Sequence, residues 1–284
     1  MTEAIAILRH LREELCQIYE PHEADSIARL LLEEFFGLSS IDLIKGKKPD
    51  LQGFTKWKEA LPLLKDNMPV QYVLGYGYFA GRRFAVGEGV LIPRPETEQL
   101  VEMADRFLRQ ATGSPTVLID LCTGTGCIAH TLALQHPHIT CYAIDNSPQA
   151  LYYAHQNARQ LGAHTIVQEA DVLAEELPEQ LPMCDFLLSN PPYVMQRERL
   201  HMHPRVLEYE PPHALFVPDD APLIFYQAIA RIAALRLKAG GWIGVEINEA
   251  MGKAVATLFR TAGLAEVAIQ KDFYGKERFV TARK

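Results

Sequence analysis

No run of apolar residues approaches the roughly 18 to 20 that a membrane-crossing helix needs. The opening MTEAIAILRHLREEL also lacks the basic, apolar, small-residue order of a secretory signal. We therefore expect a cytoplasmic protein. Cysteine is scarce: Cys16, Cys122, Cys127, Cys141 and Cys184 are odd in number and scattered, without the paired CxxC spacing of a zinc or redox site. They read as reduced thiols, mostly buried. His201 and His203 in HMHP have no Cys or carboxylate cluster at ligand spacing and read as a surface loop pair, so no metal is expected. An excess of basic charge is missing too. With 28 Lys+Arg against 35 Asp+Glu the formal charge is -7, which excludes general adhesion to nucleic acid or an anionic membrane and leaves only local runs such as Lys45-Gly46-Lys47-Lys48. No internal repeat or low-complexity tract is present. What remains is ordinary globular composition, 48% hydrophobic and 22% charged over 284 residues, long enough for two domains or one domain with an appendage.

The first 75 residues carry helical periodicity and almost no strand signal. Leu8, Leu11, Leu15 and Ile18 recur at three- and four-residue steps, as one helix face requires. Asp25 opens a second segment, SIARLLLEEFFG, with Gly37 as its stop; Ser40 opens a third and FTKWKEALPLL forms a fourth. Short amphipathic helices must pack on one another, so residues 1–75 read as a small helical bundle. At GYGYFAGRRFAVGEGVLIPRPETE the composition changes: Tyr78, Phe79, Phe84 and Val86 flank a turn-prone Ala80-Gly81, which predicts a hairpin linker.

From Ser114 onward strands alternate with helical segments, the pattern of a parallel sheet covered by helices on both faces. TVLID, ITCYAID, HTIVQEAD, CDFLLSN and GWIGVEIN are the candidate strands, with helices beginning near Cys127, Ser147, Ala221 and Glu249. LAEVAIQKDFYG and RFVTAR then meet around Gly275 with no helix between them, which adds an antiparallel edge hairpin.

DLCTGTGCIA, residues 120–129, lies at a strand-to-helix junction. Gly124 and Gly126 permit close approach of the backbone to a ligand, and Asp145 at the end of the next strand is placed to bind ribose hydroxyls. The spacing alone also satisfies the dinucleotide pattern GxGxxA, so a nicotinamide cofactor competes. Asp120 favours a cationic ligand such as S-adenosylmethionine, whose amino group a carboxylate would attract, over a pyrophosphate that it would repel. Asp171 and Val172 follow the third strand, where they meet the adenine edge and face; Asp171 as a plain helix cap is the competing reading.

Asn190-Pro191-Pro192-Tyr193 ends the strand CDFLLS. Two prolines lack N–H donors and fix φ, so the loop is stiff and its carbonyls, starting with that of Pro191, are free to accept. Asn190 adds a side-chain carbonyl and Tyr193 a flat face. Together they read as a clamp for a planar NH2 group. An exocyclic base amine, extruded from nucleic acid, would suit that clamp as well as a side-chain amide.

In order and spacing the chain resembles the protein-(glutamine-N5) methyltransferases of the PrmC (HemK) type, which methylate class I peptide chain release factors. The resemblance rests on Pro69–Gly75, Val90–Glu98, the glycine loop, Asn190–Tyr193, Tyr209-Glu210-Pro211 with Ala214-Leu215, Glu246-Ile247, and Lys271-Asp272 to Arg278-Phe279-Val280. It implies an α/β fold with a Rossmann-like, seven-stranded class I methyltransferase sheet: a substrate-binding bundle at 1–75, a β-hairpin linker at 76–95 and the methyltransferase domain at 96–284. The cofactor it implies is S-adenosyl-L-methionine, held by Asp120, Cys122, Thr123, Gly124, Thr125, Gly126, Asp145, Asp171, Val172 and Asn190. Asn190, Pro191 and Tyr193 carry the chemistry, with Pro192 joining them around the substrate. The substrate the resemblance implies is the glutamine of the release-factor Gly-Gly-Gln loop, and no membrane and no direct nucleic-acid partner is expected.

The chain departs from the family pattern at Cys122 and Thr125, which replace Gly and Ser, and at Asn248 and Met251, which stand where Gly and Gln are usual. Ribosomal-protein glutamine methyltransferases are the nearest alternative, and Arg94-Pro95-Glu96-Thr97-Glu98 favours the release-factor type. A dehydrogenase would leave Asn190–Tyr193 unexplained, and a non-catalytic module would not need the clamp.

Overall fold

The computed structural model describes residues 3–110, 116–175 and 181–284; Ser114, from which the alternation was read, lies outside them. The chain divides into two compact units, Met1–Leu74 and Gly75–Lys284.

The first unit is helical: α1 (Glu3–Leu15), α2 (Pro21–Phe36), α3 (Ser40–Lys45), α4 (Gly53–Lys65) and α5 (Val70–Leu74). Ala4, Ile7, Leu11 and Leu15 form the buried stripe of α1, while Leu8 is half-buried and Ile18 falls beyond the helix end. They pack with Ile27, Leu31, Phe35 and Phe36 of α2 and Trp57 and Leu64 of α4. Helix α2 starts at Pro21, four residues before Asp25. Proline is tolerated there because the first-turn N–H has no intrahelical partner, and Asp25, one turn in, instead accepts from Arg29 Nε at 2.8 Å. Gly37, at φ 65°, ends the helix as expected. Helix α3 is capped by Ser39, whose hydroxyl receives the Asp42 amide while the Asp42 carboxylate receives the Ser39 amide.

The second unit opens with a hairpin, β1 (Tyr76–Phe79) and β2 (Arg82–Ala85), turning at Ala80-Gly81 with positive φ at both positions. The hairpin lies within the second unit, where Phe79 and Phe84 are wholly buried with Leu100, Leu118 and Leu188. Helix α6 (Pro95–Leu108) follows within the stretch that carried the RPETE motif.

The main sheet then alternates with helices: β3 (Val117–Leu121), α7 (Cys127–Gln135), β4 (Thr140–Asp145), α8 (Pro148–Leu161), β5 (Thr165–Glu169) and β6 (Cys184–Ser189). A two-stranded pair, β7 (Val194–Met195) and β8 (Phe216–Val217), brackets two short helices, α9 (Pro204–Tyr209) and α10 (Pro212–Leu215). The last elements are α11 (Ile224–Arg236), β9 (Leu237–Glu246), α12 (Gly252–Thr261), β10 (Ala265–Lys271) and β11 (Glu277–Arg283). The seven strands lie in the order β10-β11-β9-β6-β3-β4-β5, with β11 antiparallel to both neighbours and the remaining core pairs parallel. This is the expected seven-stranded class I sheet.

Alternation explains why these strands read as nearly continuous apolar runs. Ile119, Leu187 and Ile243 pack with α11 and α12 on one face; Leu118, Leu188 and Trp242 pack with α6 and α7 on the other. Helices α11 and α12 begin at Ile224 and Gly252, later than the expected Ala221 and Glu249, because turns precede both: Ala221 N donates to Pro218 O and Met251 N to Asn248 O. Among the described residues no helix is long and apolar enough to cross a membrane.

Candidate active site

Strands β6, β3 and β4 are adjacent, and their carboxyl ends align: Leu121 pairs with both Ser189 and Ile144. The glycine loop, Asp145 and Asn190 therefore meet at one edge of the sheet, where ligands bind in open α/β folds. A cavity of about 410 Å³ opens there, within the size range of small-molecule sites. Cys122, Thr123, Gly124, Thr125, Asp145, Asn190 and Pro192 line it.

Asp145 organises the loop. Its Oδ2 accepts from Gly124 N at 2.9 Å and its Oδ1 from Ser147 N at 3.0 Å. Each carboxylate oxygen keeps a second lone pair for a hydroxyl. Burial raises the Asp145 carboxyl above its ordinary value, opposed by the amides of Ser147 and Gly124. Gly124 has φ 57°, and a Cβ built on it would meet nothing within 4 Å, so its bare backbone contributes open space to the cavity wall. The loop's strained residue is Cys122: φ 56° puts it in the left-handed region that favours glycine, which is the cost of this departure from the family pattern. Burial and the nearby Asp145 and Asp120 charges hold its thiol well above the usual range, so it stays protonated and is no nucleophile.

Several expected contacts lie elsewhere. Asp120 sits beneath the loop, fully buried, and is not in the cavity wall; its Oδ2 receives the Thr123 hydroxyl and the Ala129 amide, while its Oδ1 has no hydrogen-bond partner among the described residues. Burial pushes this carboxyl up to about 7, with the Asp145 charge adding to the rise. Gly126 is also outside the cavity wall. At φ 78° it starts α7, and a Cβ there would collide with the His130 ring, so this glycine makes room for a side chain rather than for a ligand. Val172 is buried in the core beside α11, and exposed Asp171 accepts from Leu173 N at 2.9 Å as a turn cap. The cavity wall at that point is Leu173, one residue on.

The second motif is likewise divided. Asn190 and Pro192 face the cavity, whereas Pro191 and Tyr193 are not in its wall. Tyr193, half-buried, donates its hydroxyl to Glu246 Oε1 at 2.9 Å. The other Glu246 oxygen receives the Thr97 hydroxyl at 2.6 Å, and Thr97 in turn accepts from Asn190 Nδ2 at 3.1 Å. Burial raises the Glu246 carboxyl, opposed by Thr97, Tyr193 and the positive charge of Arg278. Thr97 and Glu246 had no assigned role in the sequence, although both lie in stretches that carried the family resemblance. The same holds for Arg94, a cavity residue clamped to Glu210 at 2.6 Å; Phe216 and Phe225, outside those stretches, add apolar wall. Asn248, the other departure, donates to Glu198 Oε2 at 2.9 Å and fastens the segment after Tyr193. His203 caps α9 by accepting from Arg205 N, and no group of three potential metal ligands occurs among the described residues.

The donor set suits S-adenosylmethionine: a carboxylate at the tip of β4 for ribose hydroxyls, a Cβ-free wall at Gly124, and apolar Leu173 and Phe225 for a planar base. Comparison with known proteins agrees. The Methyltransferase small domain family matches residues 98–209. A release factor glutamine methyltransferase of Bacteroides thetaiotaomicron is 36% identical over 281 residues, covering 98% of this chain and 99% of that protein. One from Flavobacterium psychrophilum is 37% identical, covering 94% of each. The chain belongs to the family of release factor glutamine methyltransferases. Solved structures at lower identity share the fold: the catalytic domain of hMettl16 with an RNA hairpin has TM-score 0.55 at 15% identity over 81% of this chain and 80% of that one. The T. Thermophilus 16S rRNA methyltransferase RsmC, in complex with AdoMet and guanosine, has TM-score 0.52 at 16% identity over 74% of this chain and 49% of that one.

Proposed function

We propose that this family member transfers a methyl group from S-adenosyl-L-methionine to the side-chain amide nitrogen of the glutamine in the Gly-Gly-Gln loop of a class I peptide chain release factor. The observation that carries the reading is Asn190: its NH2 is engaged by Thr97, so its carbonyl oxygen is the end left to accept, in the wall of the cavity that Asp145 and Gly124 also line.

When bound, the cofactor supplies an electrophilic methyl group on a sulfonium. An amide nitrogen is a poor nucleophile because its lone pair is delocalised into the carbonyl, so the protein must orient it and meet the positive charge that grows on it. Asn190 Oδ1 accepts one N–H of the substrate amide in this reading. Asparagine takes no proton at neutral pH, so Asn190 acts by position and dipole rather than as a base; the N–CH3 bond would form as the S–CH3 bond breaks to leave a neutral thioether, and the methylated nitrogen would give up one proton to water. Asp145 binds ribose hydroxyls, and Leu173 and Phe225 contact the base. The helical unit grips the release factor and does no chemistry, and the reaction takes place in the cytoplasm. A nucleic-acid amine would use the same clamp, but the net charge of -7 and the two glutamine methyltransferase relatives favour a protein substrate.

The test is to incubate the full chain with labelled S-adenosylmethionine and, separately, a release factor, tRNA and DNA. Label is expected in the release factor alone. Asn190→Ala should lower single-turnover transfer about 10² to 10³-fold at saturating cofactor, with little change in cofactor binding. Near-normal transfer by that variant would sink the role of Asn190, and label in nucleic acid alone would overturn the reading.

A further inference from the structure

The hydrogen bonds behind Asn190 have a fixed direction. Glu246 and Thr97 are each 1% exposed, so neither exchanges partners with bulk water. An ionised carboxylate only accepts, and both Glu246 oxygens are taken, one by the Tyr193 hydroxyl and one by the Thr97 hydroxyl. Burial raises this carboxyl, while the two hydroxyl donors, Thr97 and Tyr193, and then the guanidinium of Arg278 favour its ionised form; with both oxygens within reach of a hydroxyl, the geometry is that of an acceptor. A threonine hydroxyl has one proton. Once it points at Glu246, the Thr97 oxygen can only accept, and the only donor atom on the Asn190 side chain is Nδ2, found 3.1 Å away.

We propose that Thr97, held by Glu246, is a positioning residue that sets the amide of Asn190 so that Oδ1, and not Nδ2, faces the reacting nitrogen. An asparagine amide is nearly symmetric in shape, and without a neighbour that distinguishes its two ends it turns over. The flipped form would set an NH2 against the substrate NH2, donor against donor. The consequence for turnover rests on the reading of the reaction given above; the orientation itself does not.

The full-length protein tests both. Thr97→Val keeps the shape and removes the hydroxyl, Thr97→Ala guards against a folding defect in the valine variant, and Thr97→Ser restores the hydroxyl. Turnover of a release factor should fall about tenfold in the valine and alanine variants. The KM for release factor and the Kd for S-adenosylhomocysteine should stay within about twofold, and serine should recover the rate. In an Asn190→Ala background Thr97→Val should cost nothing further, because the group it orients is gone. Independently of activity, the Asn190 side-chain NH2 resonances, assigned by their loss in Asn190→Ala, should exchange with solvent faster in Thr97→Val and slow again in Thr97→Ser. Unchanged turnover, an equal loss in the Asn190→Ala background, or unchanged NH2 exchange overturns the proposal. A wild-type protein that leaves release factors unlabelled refutes the substrate reading instead, and the exchange measurement then decides the orientation alone.

Discussion

Gly124 and Gly126 look equivalent in the motif, yet alanine at the two positions should fail in different ways. At Gly126 an added Cβ would stand 2.5 Å from His130 Cδ2 and 2.7 Å from Cε1, so the ring must move. That ring is fully buried and stacked against Phe84, with Nε2 2.9 Å from the Ala154 carbonyl and Nδ1 2.9 Å from the Thr165 hydroxyl. A carbonyl only accepts, so Nε2 carries the proton, Nδ1 accepts from Thr165, and the imidazole is neutral; burial lowers its pKa to about 4 accordingly. Displacing it strands the buried Ala154 carbonyl and the half-buried Thr165 hydroxyl at about 1–3 kcal/mol each, and alanine at a left-handed φ adds about 1 kcal/mol. A loss near 4 kcal/mol corresponds to a fall of about 10 to 15 °C in the melting temperature of a unit this size. Gly124→Ala meets no atom within 4 Å and should cost only the backbone contribution of about 1 kcal/mol. Its methyl would instead stand in the ligand's space and weaken S-adenosylhomocysteine about tenfold or more. Thermal melts followed by circular dichroism, with calorimetric titration of S-adenosylhomocysteine, measure both effects. The reasoning is refuted if Gly126→Ala lowers the melting temperature by less than about 3 °C, or if Gly124→Ala is the more destabilised of the two.

Asp145→Ala removes the charged acceptor at the tip of β4 and should weaken cofactor binding by roughly 1.5 to 3 kcal/mol; an unchanged dissociation constant would put the ribose elsewhere. Asp120 holds its proton more tightly folded than unfolded, because burial lifts its pKa from 3.8 to about 7. Its stabilisation is therefore fully present below about pH 4 and lost as pH rises through about 7, to a total of about 4 kcal/mol. Asp120→Asn abolishes that dependence, so the unfolding free energy of wild type relative to the variant should decline between pH 4 and 8 in urea titrations; parallel curves would contradict the assignment. His130, with its pKa lowered, contributes with the opposite sign as pH falls through 6.5 towards 4, but it is common to both proteins and cancels in the difference. Residues 75–284 expressed alone should still bind S-adenosylhomocysteine while methylating a whole release factor poorly, and full activity of that fragment would remove the bundle's proposed role.

Local pattern was enough for the seven strands of the sheet, the helical first unit, the glycine loop and the Asn190 tetrapeptide. Strand burial repeats over adjacent residues and a helix face over three or four, so short-range periodicity encodes both; a motif at a strand tip inherits its position from that strand. Helix α3 is a clear instance, since Ser39 and Asp42 cap it within a few residues of sequence. Register at single-residue precision was not readable. Val172 and Leu173 are neighbours of similar character, and only packing against α11 decides that the first enters the core and the second meets the cavity.

The meaning of Gly126 also depended on tertiary structure, because its Cβ-free space is filled by His130, whose own partners come from α8 and β5. The same reason applies most strongly to the active site. Thr97 and Glu246 are 149 residues apart, and Thr97 and Asn190 are 93 apart. Arg94 and Glu210 are separated by 116. No local periodicity links such residues. They meet because strand order sets β9 beside β6 and delivers α6 over the same end of the sheet, so the motifs at the strand tips were legible one by one, while the partners Thr97, Glu246 and Arg94 and the direction of their hydrogen bonds arose only when the sheet was assembled.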